Sequence, residues 1–123
     1  MKKEYFWENY YLQQIRFSNR SGSKKNMFMY HQQNTDEHED TKYKIYKKLI
    51  QQGYSVWTEA IFTTGQRCDI FCCKGKGAYI IEIETPKSPK EMEKKLNQKF
   101  KYPKDFVLVI VNTKEFNIDK WNL

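Results

Sequence analysis

Three acidic residues interrupt two short apolar runs in the middle of this chain. Asp69 stands in Arg67-Cys68-Asp69-Ile70-Phe71, and Glu82 and Glu84 stand in Tyr79-Ile80-Ile81-Glu82-Ile83-Glu84. Charges seldom enter buried strands without a partner or a metal. Carboxylates so placed suit Mg²⁺ or Mn²⁺, hard cations that take oxygen ligands, keep several waters and bind substrate phosphate. The other arrangement open to them is a structural charge cluster, in which Arg67 neutralises Glu84 and Asp69 ends a turn.

Lys74-Gly75-Lys76-Gly77 lies between the two runs and sets their pairing. Gly75-Lys76 suits a two-residue hairpin turn with Gly in the first central position. Pairing Lys74 with Gly77 puts Asp69 opposite Glu82 and Arg67 opposite Glu84. Side chains alternate along a strand, so these four share one face with Phe71, Cys73 and Ile80. Cys68, Ile70, Cys72, Tyr79, Ile81 and Ile83 form the other face. Both faces are largely apolar, so other elements must cover both. Two carboxylates side by side repel unless a cation lies between them or one takes a proton.

The flanking pattern supplies those covers. A helix starts near Thr35 or Asp36, with Asp36 as N-cap and Glu39 completing a capping box. Its apolar stripe is Tyr43, Ile45, Tyr46, Leu49 and Ile50, and Gly53 is a natural stop. His38 and Lys42 lie at helical spacing above that stripe. Ser55 to Phe62 reads as a strand carrying Glu59, and the hairpin strands follow at about 67–74 and 78–84. Ser88-Pro89-Lys90-Glu91 is a strong helix start, with the helix running to about Lys101 before Pro103. Phe106-Val107-Leu108-Val109-Ile110-Val111 is a buried strand, and Trp121 belongs to a short closing element. Before residue 35 the pattern is weaker. Residues 1–34 read as an N-terminal β-hairpin, across 10–33, or as a flexible basic arm. The turn-rich loop Ser18–Asn26 is either a phosphate-tracking arm or a surface turn. Residues 35–123 form the core domain.

With 123 residues the chain is long enough for one domain with a modest core. Its 22 basic against 15 acidic residues leave a net charge of +7, which favours polyanionic partners, nucleic acid first. Cys68, Cys72 and Cys73 form an odd, clustered set, unlike a disulfide framework, and no zinc-ligand spacing accompanies them. They read as buried small apolar residues. No secretory leader pattern and no membrane-length apolar run is visible, so the expected setting is cytoplasmic, away from membranes.

The order helix, three strands, helix, strand, with acids at the helix start, on the second strand and as Glu-x-Glu on the third, resembles the PD-(D/E)XK, or restriction-endonuclease-like, nuclease superfamily. The likeness covers about residues 35–112. It is closest in flavour to the competence CoiA-like nucleases and, more distantly, to archaeal Holliday-junction resolvases. The matching positions are His38, Lys42, Glu59, Arg67-Cys68-Asp69, Glu82-Ile83-Glu84 and Ser88. Two positions depart from the pattern: Glu84 stands where the last motif usually has Lys, and Cys68 stands before the Asp where Pro is usual.

The resemblance implies an α/β fold, a mixed sheet flanked by helices in the order αβββαβ. It implies a metal-dependent endonuclease that hydrolyses phosphodiester bonds of nucleic acid, DNA before RNA. Asp69 and Glu82 would then hold the metal with the Ile83 carbonyl, and Glu84 would orient or deprotonate the attacking water. His38 or Glu39 would complete the shell, unless Glu39 serves only the capping box and His38 only the fold. Glu59 either approaches this cluster or faces solvent. Lys42, Arg67 and Lys87 are candidate nucleic-acid contacts, against the plainer role of solvated lysines for Lys42 and Lys87. Nucleases of this class often pair to cut two strands, which allows for a homodimer. Two other readings stand beside this one: a nucleic-acid-binding module that keeps the fold without turnover, and a small viral or mobile-element protein that binds a host protein.

Overall fold

Thr35 opens the helix that anchors this fold. Its side chain accepts the His38 N–H at 3.1 Å, and α2 runs Asp36–Gln51. The cap is therefore Thr35 rather than Asp36, and Glu39 is released from the expected capping box for other partners. Ile45 and Leu49 are fully buried, each worth about 1.5–3 kcal/mol against roughly 1 for the cap, so packing rather than capping holds α2 in place. Gly53, at φ +89°, ends the helix as expected, because other residues are strained there.

The computed structural model describes residues 3–16, 24–85, 88–96 and 102–123. Helix α1 (Lys3–Leu12) precedes α2. Strands β1 (Ser55–Thr58), β2 (Ile70–Lys74) and β3 (Gly77–Glu84), helix α3 (Pro89–Leu96) and strand β4 (Val107–Asn112) follow. The sheet order is β1-β2-β3-β4. β1, β2 and β3 are antiparallel neighbours, and β4 returns parallel to β3. From α2 onward this is the expected αβββαβ order of a mixed sheet flanked by helices. The β2–β3 turn is Gly75-Lys76, with Gly75 at φ +56°. Lys74 pairs with Gly77 and Ile70 with Ile81, the register read from the sequence.

The two faces of the sheet are both covered. Ile45 and Leu49 pack on Val56, Ile70, Cys72, Ile81, Ile83 and Val111, with Trp121 and Leu123 at the margin. Trp121 thus closes this face from a turn rather than from a regular element. On the opposite face Tyr11 and Ile15 pack with Trp57, Phe62, Phe71, Cys73, Ile80 and Phe106. Cys72 and Cys73 fall on opposite faces, and all three cysteines are buried free thiols. Burial pushes the Cys73 thiol up to about 12, far from a reactive thiolate.

Three local expectations need correction. Among the described residues the N-terminal segment forms helix α1 and no hairpin. Its aromatic residues recur at helical spacing, so Trp7 and Tyr11 stack at 6.0 Å on one side of α1 and Tyr11 packs on Phe106 at 5.6 Å. Ile15 and Met27 bridge to Phe62 and Trp57 rather than to each other. Second, β1 stops at Thr58, because Glu59 turns the chain at φ +55°. Third, β2 starts at Ile70, and Arg67 bridges Ile61 instead of facing Glu84. Strand alternation breaks there, so Cys68 joins Phe71 on the α1 side rather than Ile70 on the α2 side. Ser88 caps α3 as predicted, its hydroxyl 3.4 Å from the Glu91 N–H. The expected end of that helix near Lys101, and most of the loop Ser18–Asn26, lie outside the described residues.

Candidate active site at the entrance of β2

Asp69 immediately precedes β2, one step before the Ile70–Ile81 pair, which sets it across from Glu82. Its Oδ2 accepts the Ile83 N–H at 2.7 Å, filling the ladder position that β2 itself no longer reaches. A residue's N–H and C=O point to the same side of a strand. The Ile83 carbonyl therefore also projects toward Asp69. From the α2 side, His38 Nε2 comes within 3.3 Å of the same Oδ2. From the α1 side, the Tyr102 hydroxyl donates to Glu82 Oε1 at 2.7 Å.

The two carboxyl groups interact directly, and the consequences differ for each. Burial first, and the Asp69 charge second, push the Glu82 carboxyl up to about 9, with Glu84 adding to the push. Burial also works against ionised Asp69. The His38 hydrogen bond and charge and the Ile83 N–H outweigh it and hold Asp69 below its ordinary value. Burial opposes a charged His38 too, but the Asp69 hydrogen bond and charge raise it above its usual range. Without a cation, then, Asp69 is the anion and Glu82 keeps the proton between them. Glu84 lies two residues along β3 on the face of Glu82, half-buried, with Asn112 beside it on β4.

A second charge cluster lies beside the first. Lys42 is 0% exposed. Its ammonium donates to Glu59 Oε1 at 2.8 Å, pairs with Glu39 Oε2 at 2.8 Å and reaches the Met29 carbonyl at 2.8 Å. The Phe28 ring lies 5.1 Å from the same nitrogen. Glu39 Oε1 also accepts the His31 N–H at 2.9 Å and the Asn34 side-chain amide at 3.0 Å. The expected phosphate contact Lys42 is thus turned inward, because two buried carboxylates need its charge. Glu39 and Glu59 belong to this cluster rather than to the Asp69–Glu82 pair. Arg67 remains exposed, with Nη1 3.4 Å from His31 Nε2. Lys87 lies outside the described residues.

Sequence reasoning missed Tyr102, His31 and Asn34 as parts of this region. No short-range signal marks them, since each acts through a residue brought close only by the fold.

The donor set can be tested against a divalent cation. Among the described residues no group of three or more His, Cys, Asp and Glu side chains is gathered for a metal. The set is instead two carboxylates and a backbone carbonyl, which matches an ion that binds few protein oxygens and keeps its waters. His38 Nδ1 is buried without a hydrogen-bond partner among the described residues. Two carboxyl groups that cannot both ionise without a cation, beside a backbone carbonyl, fit a hydrated cation.

Residues 34–122 match the family model for the nuclease-like domain of competence protein CoiA. No curated protein and no solved structure matches the chain.

Proposed function

The chain belongs to the CoiA nuclease-like domain family, and on that premise we propose that it is a Mg²⁺- or Mn²⁺-dependent endonuclease that hydrolyses phosphodiester bonds, with DNA the preferred substrate. One observation carries the reading: Asp69 and Glu82 face each other across the hairpin in a half-buried site, and burial first and the Asp69 charge second lift Glu82 to about 9. Two carboxyl groups in contact, one of them kept protonated by the other, are relieved when a cation enters between them.

Asp69, Glu82 and the Ile83 carbonyl would hold the cation. When bound, it lowers the pKa of water and neutralises charge developing on the phosphate. The remaining work falls to side chains. His38 fixes the Asp69 carboxylate through Nε2. Tyr102 fixes Glu82 from the opposite face. Glu84 replaces the usual lysine and takes the role of orienting or deprotonating the attacking water, as a carboxylate can accept that proton. Arg67, exposed beside His31, is placed to contact a substrate phosphate.

Plasmid and oligonucleotide cleavage with Mg²⁺, with Mn²⁺ and with EDTA tests this. The expected result is cleavage with either ion, none with EDTA, and none from Asp69→Asn or Glu82→Gln proteins that remain folded. Salt-sensitive nucleic-acid binding without cleavage under any of these conditions would sink the nuclease reading in favour of a binding module.

A further inference from the structure

Residues 26–34 form a strap between β1 and α2, and the strap carries a row of aromatic side chains to the edge of the carboxylate site. Asn26 and Met29 tie it to β1: the Asn26 side chain accepts the Val56 N–H, and the Met29 N–H donates to the Thr58 hydroxyl. Along α2, Tyr46 donates to the Asn26 carbonyl, Lys42 to the Met29 carbonyl, and Glu39 accepts from His31. The strap ends where the His31 ring meets Arg67.

Its outer surface is not apolar by accident of a single residue. Tyr30 is 58% exposed, Met27 50% and Tyr43 44%. Phe28 and Tyr43 meet edge to face at 5.1 Å, and Tyr43 and Tyr46 are stacked at 6.2 Å. Phe28, Tyr43 and Tyr46 hold one another by packing, while Tyr43 and Tyr30 keep much of their surface exposed. Cations are interleaved with them. Lys47 lies over the Tyr43 ring at 5.5 Å, and Lys24 and Lys25 are exposed at the strap's start. Beyond Tyr43, Lys44, Lys47 and Lys48 line a groove of about 370 Å³ against Ile118 and Asp119. Acidic groups also lie here: Asp40 pairs with Lys44 and Glu8 with Lys25. The chain as a whole keeps an excess of +7.

Rigid aromatic faces alternating with lysines suit a ligand with flat faces on an anionic backbone. A duplex hides its base faces inside the stack; a single strand presents them. A protein partner would be served by the rings but has no need of the lysines. We infer that the strap and the outer face of α2 form a base-stacking platform for single-stranded nucleic acid, leading along Tyr43 and Tyr30 to Arg67 and the carboxylate pair. This rests on the nuclease reading for what happens at the end of the track, but not for the binding itself.

The test is fluorescence anisotropy of a labelled oligonucleotide, single-stranded and annealed to its full complement as a blunt duplex, with the full chain in EDTA. Stacking is worth about 1–3 kcal/mol per base, so Tyr30→Ala and Tyr43→Ala should each weaken single-strand binding by about 5- to 150-fold. Duplex affinity should stay within about two-fold, since base faces are not offered there. Tyr30→Trp should retain single-strand binding, which a loss through misfolding would not allow. Equal losses on both probes, or no single-strand binding by the parent, would overturn the platform. Unchanged affinity in both variants would also overturn it and assign the surface to a protein partner. Cleavage by the parent is scored separately: a protein that cuts but ignores Tyr30 and Tyr43 loses only the platform. One that binds through them but does not cut loses only the nuclease reading.

Discussion

Two clusters of buried charge lie side by side in this protein, and they solve the same problem in opposite ways. At Lys42 one cation meets two carboxylates, and the Met29 carbonyl, Asn34 and the His31 N–H take up further hydrogen-bonding capacity. At Asp69 two carboxyl groups meet; among the described residues His38 forms an ion pair with Asp69, and Glu82 retains a proton up to about 9. The first cluster is closed: it knits strap, helix and β1 together. The second lies nearer the surface, keeps one carboxyl protonated and, among the described residues, holds an unpartnered nitrogen. The difference separates charges that build a scaffold from charges that, on the proposed function, take up a cation, and it makes opposite predictions for neutralising substitutions.

The largest effect belongs to the closed cluster. Lys42→Met keeps the length of the side chain but strands two buried carboxylates. It should cost about 3–5 kcal/mol in urea unfolding. The triple variant Glu39→Gln, Lys42→Met, Glu59→Gln should recover much of that loss, since no buried charge is left unpaired. If Lys42→Met were neutral, the cluster would not be a scaffold and the contrast would collapse.

At the open pair the sign reverses. Glu82 has its folded pKa, about 9, above its ordinary 4.5. Between those values the unfolded chain gives up this proton while the native one keeps it, so stability falls as pH rises and the loss is complete above about 9. His38, raised in the fold, adds stability below its unfolded value that is likewise lost as pH rises. Across the window the Glu82 contribution amounts to several kcal/mol, on the order of one for each unit of pH. Glu82→Gln should remove it, leaving only the shallower His38 dependence and a higher melting temperature at neutral pH. A melting temperature of Glu82→Gln below that of the parent at pH 7.5 would mean that Glu82 is paired as a structural charge.

Adding the cation should restore what repulsion removes. A ligand present at ten times its dissociation constant stabilises by about 1.4 kcal/mol. Mg²⁺ titration should therefore raise the parent's melting temperature, EDTA should reverse the rise, and Asp69→Asn should abolish it. Lys42 variants that still fold should keep the response. A shift of equal size in Asp69→Asn would place the ion elsewhere.

How much of this contrast could be read beforehand follows from the range of each interaction. The Asp69–Glu82 neighbourhood was legible because a two-residue turn at Gly75-Lys76 fixes register over the whole hairpin. The stripe of α2 and the Ser88-Pro89 start of α3 were legible because helical period and capping are local. The closed cluster was not. Lys42 looks like any solvated helix lysine until Glu59 adopts φ +55° and swings under it. A left-handed glutamate is uncommon and strained, and nothing in its neighbours' sequence announces it. The aromatic N-terminal run favours strands by propensity, yet packing of Trp7 and Tyr11 against the finished sheet makes it helical. These are tertiary effects, invisible to period and spacing.

The smallest expected effect probes a hydrogen bond that reaches the open pair from the α1 side. Tyr102 donates to Glu82 Oε1 at 2.7 Å, and that bond favours the ionised carboxylate, pulling against burial and Asp69. Tyr102→Phe removes the donor while the ring keeps its edge-to-face contact with Phe62 at 5.7 Å. The lost hydrogen bond should cost about 0.5–1.5 kcal/mol. The carboxyl should become still harder to ionise, so the pH at which stability stops falling moves upward. Cation binding must displace the Glu82 proton, so the Mg²⁺ needed for half-maximal stabilisation should rise, and raising the pH should recover it. A structural tyrosine would give the same loss of stability with no change in the Mg²⁺ requirement. Measuring both on Tyr102→Phe at pH 7 and pH 9 separates a residue that tunes the open pair from one that merely packs beside it.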